Sequence, residues 1–194
     1  MRKAFIVLLF VGWIGETCVS GTETTPALSQ AEGLTYRYPE KWEAVQRKSG
    51  AFDREILILG PKGIDGTYAC TFLIRESVLG AGERGPRTLE EWIRAYKGRS
   101  LHEAILEEKE TEAAGRPAKE MTLSYARPYA PLYKGLRFRK TRIRVRALFI
   151  EKDGRIYEFL YSAREKEYPR HEEEFERFLA SVRFVDSSPS PAAP

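Results

Sequence analysis

Polar and apolar residues alternate along residues 140–150, in the last third of this chain. Because the side chains of a β-strand point alternately to its two faces, this alternation predicts a strand with one largely apolar face and one basic face. The first face consists of Thr141, Ile143, Val145, Ala147 and Phe149. The opposite face carries four cations, here called the basic row, which are Lys140, Arg142, Arg144 and Arg146.

A hairpin and a closing helix are predicted after this strand. Asp153 and Gly154 are typical of the tight turn between antiparallel strands, and residues 155–163 then return as an aromatic strand. Residues 167–182 have apolar positions at helical spacing, and Pro169 is tolerated in the first turn of a helix. The apolar stripe is Phe175, Phe178, Leu179 and Val182. We expect this helix to pack on the sheet.

An earlier helix begins at Thr88, an N-cap residue that forms a capping-box pattern with Glu91. The apolar face of this helix is Leu89, Trp92, Ile93 and Tyr96. The remaining strands are predicted at 34–38, 43–47, 55–59, 67–75, 104–111 and 118–125. Loops are predicted at 80–86, which is rich in glycine, and at 127–136, the aromatic loop. The aromatic loop, which contains Tyr129 and Tyr133, either covers a sheet edge or contacts a ligand.

Both ends of the chain differ in composition from its centre. Residues 1–20 have a basic start and a short apolar run, which predicts a signal peptide rather than a membrane span of roughly twenty residues. Residues 21–32 are predicted to be a flexible linker, 33–185 a single domain, and 186–194 a disordered tail rich in Pro, Ser and Ala. We therefore expect a secreted or periplasmic protein. Alternatively, Cys18 is acylated and anchors the protein to the envelope.

Charge and cysteine content limit the classes of function. The formal net charge of +4 is too small to indicate nucleic-acid binding by itself. Aromatic residues also do not interleave with the basic row, as a platform for single strands requires. Removal of the signal peptide leaves Cys70 as the one cysteine, so no internal disulfide is expected. We interpret Cys70 as a small buried hydrophobic residue.

No recognisable catalytic or metal-binding motif is present in the sequence. Its two histidines, His102 and His171, fall in different predicted elements, and no cysteine or histidine pair has the spacing of metal ligands. Residues 80–85 match the G-x-G-x-x-G spacing. A dinucleotide site, however, needs a parallel βαβ unit, whereas the strands here are expected to be antiparallel. We predict no cofactor, no metal and no enzymatic activity.

The basic row is the conspicuous polar feature of the sequence and has two interpretations. Glutamates on neighbouring strands can neutralise it, which is an ordinary solution for a solvated sheet face. The candidate partners are Glu108, Glu110, Glu120 and Glu158. Alternatively, the row binds an anionic partner together with Tyr129 and Tyr133. Both interpretations remain open.

The order of these elements resembles that of the PsbP-like family over residues 34–185. The resemblance rests on Tyr38-Pro39-Glu40-Lys41-Trp42, Leu89-Glu90-Glu91-Trp92, Asp153-Gly154-Arg155-Ile156-Tyr157 and a closing helix with Phe175, Leu179, Ser181 and Phe184. It implies an α+β fold in which helices flank a central antiparallel β-sheet, an αβα sandwich. The family includes an extrinsic photosystem II protein, and its fold is shared by a Ran-binding import factor and small exported bacterial proteins. No manganese, calcium or Ran contact of the family can be matched to a position here.

Three hypotheses about function follow. The first is an exported, non-catalytic binding or accessory domain, which engages a protein partner through the loops at 80–86 and 127–136 or through the basic row. The second is a small-ligand-binding protein or enzyme with a pocket between the sheet and the aromatic loop. The third is a structural protein of the envelope that is anchored through acylated Cys18.

Overall fold

The computed structural model describes residues 29–31, 33–49, 52–63, 66–82, 85–99, 104–129 and 139–185. The predicted signal peptide and tail lie outside these residues. Of the predicted linker, 29–31 are described, and they form a short strand rather than an irregular segment. This strand pairs with the first strand of the predicted domain, so the ordered fold begins before residue 33.

The described residues form ten strands, two α-helices and a short 3-10 helix. The strands are β1 Ser29–Ala31, β2 Leu34–Tyr36, β3 Glu43–Ser49, β4 Phe52–Leu59, β5 Cys70–Val78, β6 Ala104–Ala113, β7 Arg116–Tyr129, β8 Arg139–Lys152, β9 Arg155–Arg164 and β10 Arg183–Phe184. The helices are α1 Leu89–Arg99, α2 Glu172–Ser181 and the 3-10 helix Tyr168–Arg170.

Seven of these strands form one antiparallel sheet in the order β3-β4-β5-β9-β8-β7-β6. A smaller sheet has the order β1-β2-β10. The predicted turn between β8 and β9 is present, and Asp153 and Gly154 both have positive φ, as a two-residue hairpin requires. The chain therefore has the predicted α+β fold built on a central antiparallel sheet.

Strand β9 lies at the centre of the large sheet and is buried on both faces. Tyr157, Phe159 and Tyr161 belong to the core cluster that contains α2. Ile156 and Leu160 belong to the cluster that contains α1. Because consecutive side chains of a strand point to opposite faces, α1 and α2 pack against opposite faces of the sheet.

Aromatic rings fill the core beneath α2. The ring centroid of Phe72 on β5 lies 4.7 Å from that of Trp42, 5.1 Å from that of Phe175 and 5.3 Å from that of Phe178. Such pairs stabilise a core through their buried area and through favourable ring geometry. The predicted helical stripe, with Phe175, Phe178 and Leu179, is buried as expected. This aromatic cluster attaches α2 to the sheet.

Helix α1 is attached to the opposite face by a polar contact as well as by apolar ones. The indole Nε1 of Trp92 donates a hydrogen bond of 2.8 Å to Glu158 Oε1 on β9. The predicted N-cap is confirmed, because Thr88 Oγ1 accepts a hydrogen bond from the backbone N–H of Glu91 at 3.2 Å. The Glu91 carboxylate accepts from the backbone N–H of Arg87 at 2.8 Å, one residue before the position in a standard capping box.

The closing helix and the aromatic loop were predicted with wrong boundaries. Pro169 lies in the 3-10 helix, and α2 begins only at Glu172, so the closing helix is shorter than residues 167–182. The second boundary is that of the aromatic loop, because β7 continues through Pro128 to Tyr129. Proline has no backbone N–H, so it is tolerated in a strand only where that group would not form a hydrogen bond to the neighbouring strand. The sequence alone does not reveal whether Pro128 occupies such a position.

Replacing Phe178 by alanine tests the attachment of α2. We expect Phe178→Ala to lower the free energy of unfolding by about 3–5 kcal/mol, because it leaves a cavity in the aromatic cluster. The neighbouring exposed variant Arg177→Ala is the control and should change that free energy by at most about 0.5 kcal/mol. Urea unfolding followed by tryptophan fluorescence measures both. Equal midpoints for the two variants would contradict the assignment.

Candidate functional site

The basic row lies on the face of the sheet that α2 covers. Along β8 its face continues into Leu148 and Ile150, which belong to the core cluster with Phe175 and Phe178. The sequence suggested a solvated outer face, and this expectation was wrong for half of the row. The row is divided into an inner half, Arg144 and Arg146, and an outer half, Lys140 and Arg142.

Arg146 is largely buried between the sheet and α2. Its Nη2 lies 2.9 Å from Glu120 Oε2 on β7, and its Nη1 is hydrogen-bonded to Glu176 on α2. The guanidinium also lies over the ring of Phe175, 5.7 Å from the centroid. Burial opposes its charge, but the hydrogen bonds to Glu120 and Glu176 outweigh that effect and raise the pKa of Arg146. Arg146 therefore stays charged and links α2 to the sheet.

Glu120, the partner of Arg146, is itself only 4% exposed. Its second carboxylate oxygen lies 3.2 Å from Lys109 Nζ on β6, and Lys109 also contacts Glu107 at 3.4 Å. Charges of alternating sign thus continue from α2 across β8 and β7 to β6. A buried carboxylate needs such partners, because its desolvation is otherwise costly.

Arg144 is held by an aromatic ring instead of by a carboxylate. Its guanidinium carbon lies 4.7 Å from the ring centroid of Tyr168, in the 3-10 helix that precedes α2. This distance suits a cation–π interaction, which strengthens as the cation loses water. Tyr168 in turn stacks on Tyr161 of β9, with ring centroids 4.5 Å apart. The inner half of the row therefore serves the packing of the fold.

The outer half of the row is exposed at the end of the sheet. Arg142 is 66% exposed, and its Nε lies 3.9 Å from Glu165 Oε2, a loose contact between solvated groups. Lys140 is exposed, and no ion pair joins it to another residue of the described part of the chain. Lys166 and Arg170, also exposed, follow β9 next to this end of β8. We call Lys140, Arg142, Lys166 and Arg170 the basic end.

The basic end has a net positive charge. Of its four cations, Arg142 faces Glu165, and Arg170 Nη1 lies 2.7 Å from Glu167 Oε2. Within the described residues, no carboxylate is recorded against Lys140 or Lys166. Exposed pairs of this kind are weak and exchange readily with solvent or with another ligand. This end can therefore attract an acidic surface.

Of the four glutamates proposed as partners of the row, Glu120 alone contacts it among the described residues. Glu158 lies on the α1 face, where Trp92 binds it and Arg75 Nη1 lies 3.7 Å away. The reason is register, since Glu158 is opposite Phe149 and not opposite an arginine of the row. Glu108 and Glu110 pair with Lys97 and Lys119 on that same face.

Of the other proposed site residues, Tyr129 is the one that lies within the described part of the chain. Tyr129 is the last residue of β7 and lies opposite Arg139, at the end of the sheet where the outer half of the row also lies. Tyr133 and Cys18 lie outside the described residues. The structure therefore groups Tyr129 with the outer half of the row by backbone position.

A cleft of about 830 Å³ lies on the other side of α2, between this helix and β2. It is lined by Thr35, Arg37, Tyr38, Pro39, Glu174, Arg177, Phe178, Ala180, Ser181 and Arg183. Sequence reasoning missed this cleft because its walls come from distant segments, with Arg37 and Ser181 separated by 144 positions. It differs from the pocket predicted between the sheet and the aromatic loop, because residues 130–136 of that loop lie outside the described part.

Groups with potential reactivity are placed in packed surroundings. No group of three His, Cys, Asp or Glu residues suited to a metal occurs among the described residues. His171 packs edge-on against Trp42, with ring centroids 5.8 Å apart. No helix in the described ranges is long and apolar enough to cross a membrane.

Cys70 is buried as the sequence suggested. It packs against Gly60 so closely that a Cβ at that position would lie 2.5 Å from the Cys70 Sγ. Burial, followed by the negative charges of Glu174 and Glu167, raises the pKa of the Cys70 thiol from 9.0 to about 12. At neutral pH the group is therefore a protonated thiol and a poor nucleophile.

The state of Cys70 can be checked with a thiol-specific chromogenic disulfide. At pH 8 the folded Cys18→Ser variant, in which Cys70 is the one cysteine, should react far more slowly than free glutathione, because the reactive thiolate is scarce and inaccessible. Reaction should become complete in denaturing urea. The part of the protection that comes from the raised pKa should be full below about pH 9 and disappear as pH rises towards about 12, whereas the part that comes from burial should remain in the folded protein. Rapid labelling of the folded protein at pH 8 would show that Cys70 is not buried.

Comparison with known proteins identifies the fold. No protein-family model and no curated protein sequence matches this chain. The solution structure of cyanobacterial PsbP (CyanoP) from Synechocystis sp. PCC 6803 is similar, with a TM-score of 0.51 and 11% identity over 87% of this chain and 98% of that one. The fold is PsbP-like. The family resemblance drawn from the order of sequence elements is thus confirmed for the fold.

Two further solved structures are similar to this chain. A protein of unknown function from Pseudomonas aeruginosa has a TM-score of 0.51 and 12% identity, over 84% of this chain and 98% of that one. A crystal structure from Bacteroides thetaiotaomicron VPI-5482 has a TM-score of 0.51 and 9% identity over 83% of this chain. This chain spans only 48% of the Bacteroides protein. Identities this low establish a fold and transfer no residue role.

Proposed function

We propose that this chain is an exported, non-catalytic accessory domain that binds an acidic surface of a protein partner in the cell envelope. Its helices and sheet are arranged in the αβα sandwich implied by the family resemblance. The basic end is the proposed contact surface, and we assign Tyr129 and Tyr133 to the same surface from the sequence. The observation that carries the proposal is the division of the basic row, whose inner half is engaged in packing while Lys140 and Arg142 are exposed.

The exposed cations are suited to recognition because they do not support the core. Guanidinium groups form paired hydrogen bonds with carboxylates. The contact of Arg142 with Glu165 is long, at 3.9 Å, so a carboxylate of the partner can replace it. Lys140 adds a mobile charge beside it. A cluster of like charge also increases the rate at which an oppositely charged partner docks. Export rests on the basic and apolar pattern of residues 1–20, and acylation of Cys18 is compatible with the same contact surface.

The structure determines which variants are informative. Changing Arg144 and Arg146 would disturb the attachment of α2, so a test of binding should leave them intact. The double variant Lys140→Gln/Arg142→Gln removes two exposed charges from the basic end. The matched control, Arg87→Gln/Arg94→Gln, removes two exposed charges from the α1 side of the sheet. Both variants should fold normally.

The test is a comparison of captured proteins. The full-length protein and both variants are immobilised, incubated with envelope extract, and the retained proteins are quantified by mass spectrometry. We expect one set of acidic proteins to be retained by the wild type and by the control, and to fall about tenfold with Lys140→Gln/Arg142→Gln. Retention should also weaken in salt, because exposed charges are screened. Identical retention by all three proteins would refute the proposal.

A further inference from the structure

We propose a second binding site, the cleft between β2 and α2, and infer that it takes an acidic extended peptide segment with apolar side chains. This inference is independent of the proposed function, because it concerns other residues on the other side of α2. The cleft is a partly open groove with a volume of about 830 Å³. The site has three features that favour such a peptide.

The first feature is charge. Arg37, Arg177 and Arg183 line the cleft, and Glu174 is the one carboxylate among the lining residues. Arg37 is exposed, and no acidic partner for its side chain is recorded in the described part of the chain. Arg177 lies 2.9 Å from Glu173 Oε1 and 3.9 Å from Glu174 Oε1, and such solvent-accessible contacts compete weakly with a ligand. The cleft therefore presents an excess of guanidinium groups, which bind carboxylates in paired geometry.

The second feature is the fixed position of the walls. Ser181 Oγ accepts a hydrogen bond from the Arg37 backbone N–H at 2.8 Å and lies 3.2 Å from the Arg37 carbonyl oxygen. Arg183 Nη1 donates to the carbonyl oxygens of Ala180 and Val182 at 2.7 Å each. The backbone of Arg37 is thereby held at the end of α2, and Arg183 is held there as well. Groups that are fixed before binding lose little entropy when a ligand arrives.

The third feature is the apolar part of the lining. Tyr38, Pro39, Phe178 and Ala180 lie among the arginines. Phe178 is buried beneath this wall, so the apolar surface that a ligand can contact belongs to Tyr38, Pro39 and Ala180. A small inorganic anion would use the arginines and leave this wall exposed. A peptide segment with alternating acidic and apolar side chains uses both, which is why we assign the cleft to that ligand class.

The test uses a fluorescein-labelled peptide of alternating glutamate and leucine, with a glutamine–leucine peptide as its neutral counterpart. Binding to the full-length protein is measured by fluorescence anisotropy. The cleft variant is Arg37→Gln/Arg177→Gln, and the controls are Arg87→Gln/Arg94→Gln and Lys140→Gln/Arg142→Gln, each of which also removes two charges. Unlabelled peptide and citrate are added separately as competitors.

We expect saturable binding of the acidic peptide, weakened about tenfold in the cleft variant and less than about twofold in both controls. The neutral peptide should bind more weakly, and citrate should displace the acidic peptide only poorly. Equal losses in all variants would show unspecific attraction and overturn the inference. A loss confined to Lys140→Gln/Arg142→Gln would also overturn it and leave the proposed function standing. Efficient displacement by citrate would identify a small-anion site instead.

The position of the bound peptide provides a second measurement that does not depend on variant folding. In amide correlation spectra of the wild type, titration of the acidic peptide should shift the signals of Arg37, Arg177 and Ser181. The signals of α1 should stay in place. Shifts restricted to residues outside the cleft would contradict the assignment even if the peptide binds.

Discussion

The structure depends on the burial of both faces of strand β9. Its residues 156–161 are covered on one side by α1 and on the other by α2, so neither helix can leave without exposing the centre of the sheet. The burial of apolar surface is the main favourable contribution to such a fold. An aromatic cluster around Phe72 attaches α2, and the hydrogen bond between Trp92 and Glu158 helps to attach α1. The two attachments differ in chemistry but serve the same strand.

This constraint explains the division of the basic row. Strand β8 neighbours β9, and α2 with the preceding 3-10 helix covers the end of the row that holds Arg144 and Arg146, so these two arginines lose water when the helix packs. Each needs a partner in compensation, which Tyr168 provides for Arg144 and Glu120 with Glu176 provides for Arg146. Lys140 and Arg142 lie beyond this cover. Strand β8 thus carries two exposed cations, Lys140 and Arg142, followed along the sequence by two cations that support the fold, Arg144 and Arg146. The exposed pair is available to a partner.

The sequence predicts the local parts of this fold well. Alternation identifies β8, and helical spacing with an N-cap identifies α1, because these patterns involve neighbouring residues. It does not reveal which face of β8 is covered by α2, since β9 has apolar residues on both faces and so provides no preference. Glu158 was assigned to the wrong face for another reason, because the register of the hairpin at Asp153 and Gly154 places it opposite Phe149. The cleft was also unpredictable, because Arg37 and Ser181 meet only after the sheet has formed.

The division of the basic row is tested most directly by measuring the free energy of urea unfolding for four single variants, Lys140→Gln, Arg142→Gln, Arg144→Gln and Arg146→Gln. We predict a loss of about 2–4 kcal/mol for Arg146→Gln, because Glu120 stays buried without its main partner. The loss for Arg144→Gln should be about 1 kcal/mol, from the interaction with Tyr168. Lys140→Gln and Arg142→Gln should change the value by at most about 0.5 kcal/mol. Similar losses at all four positions would contradict the division.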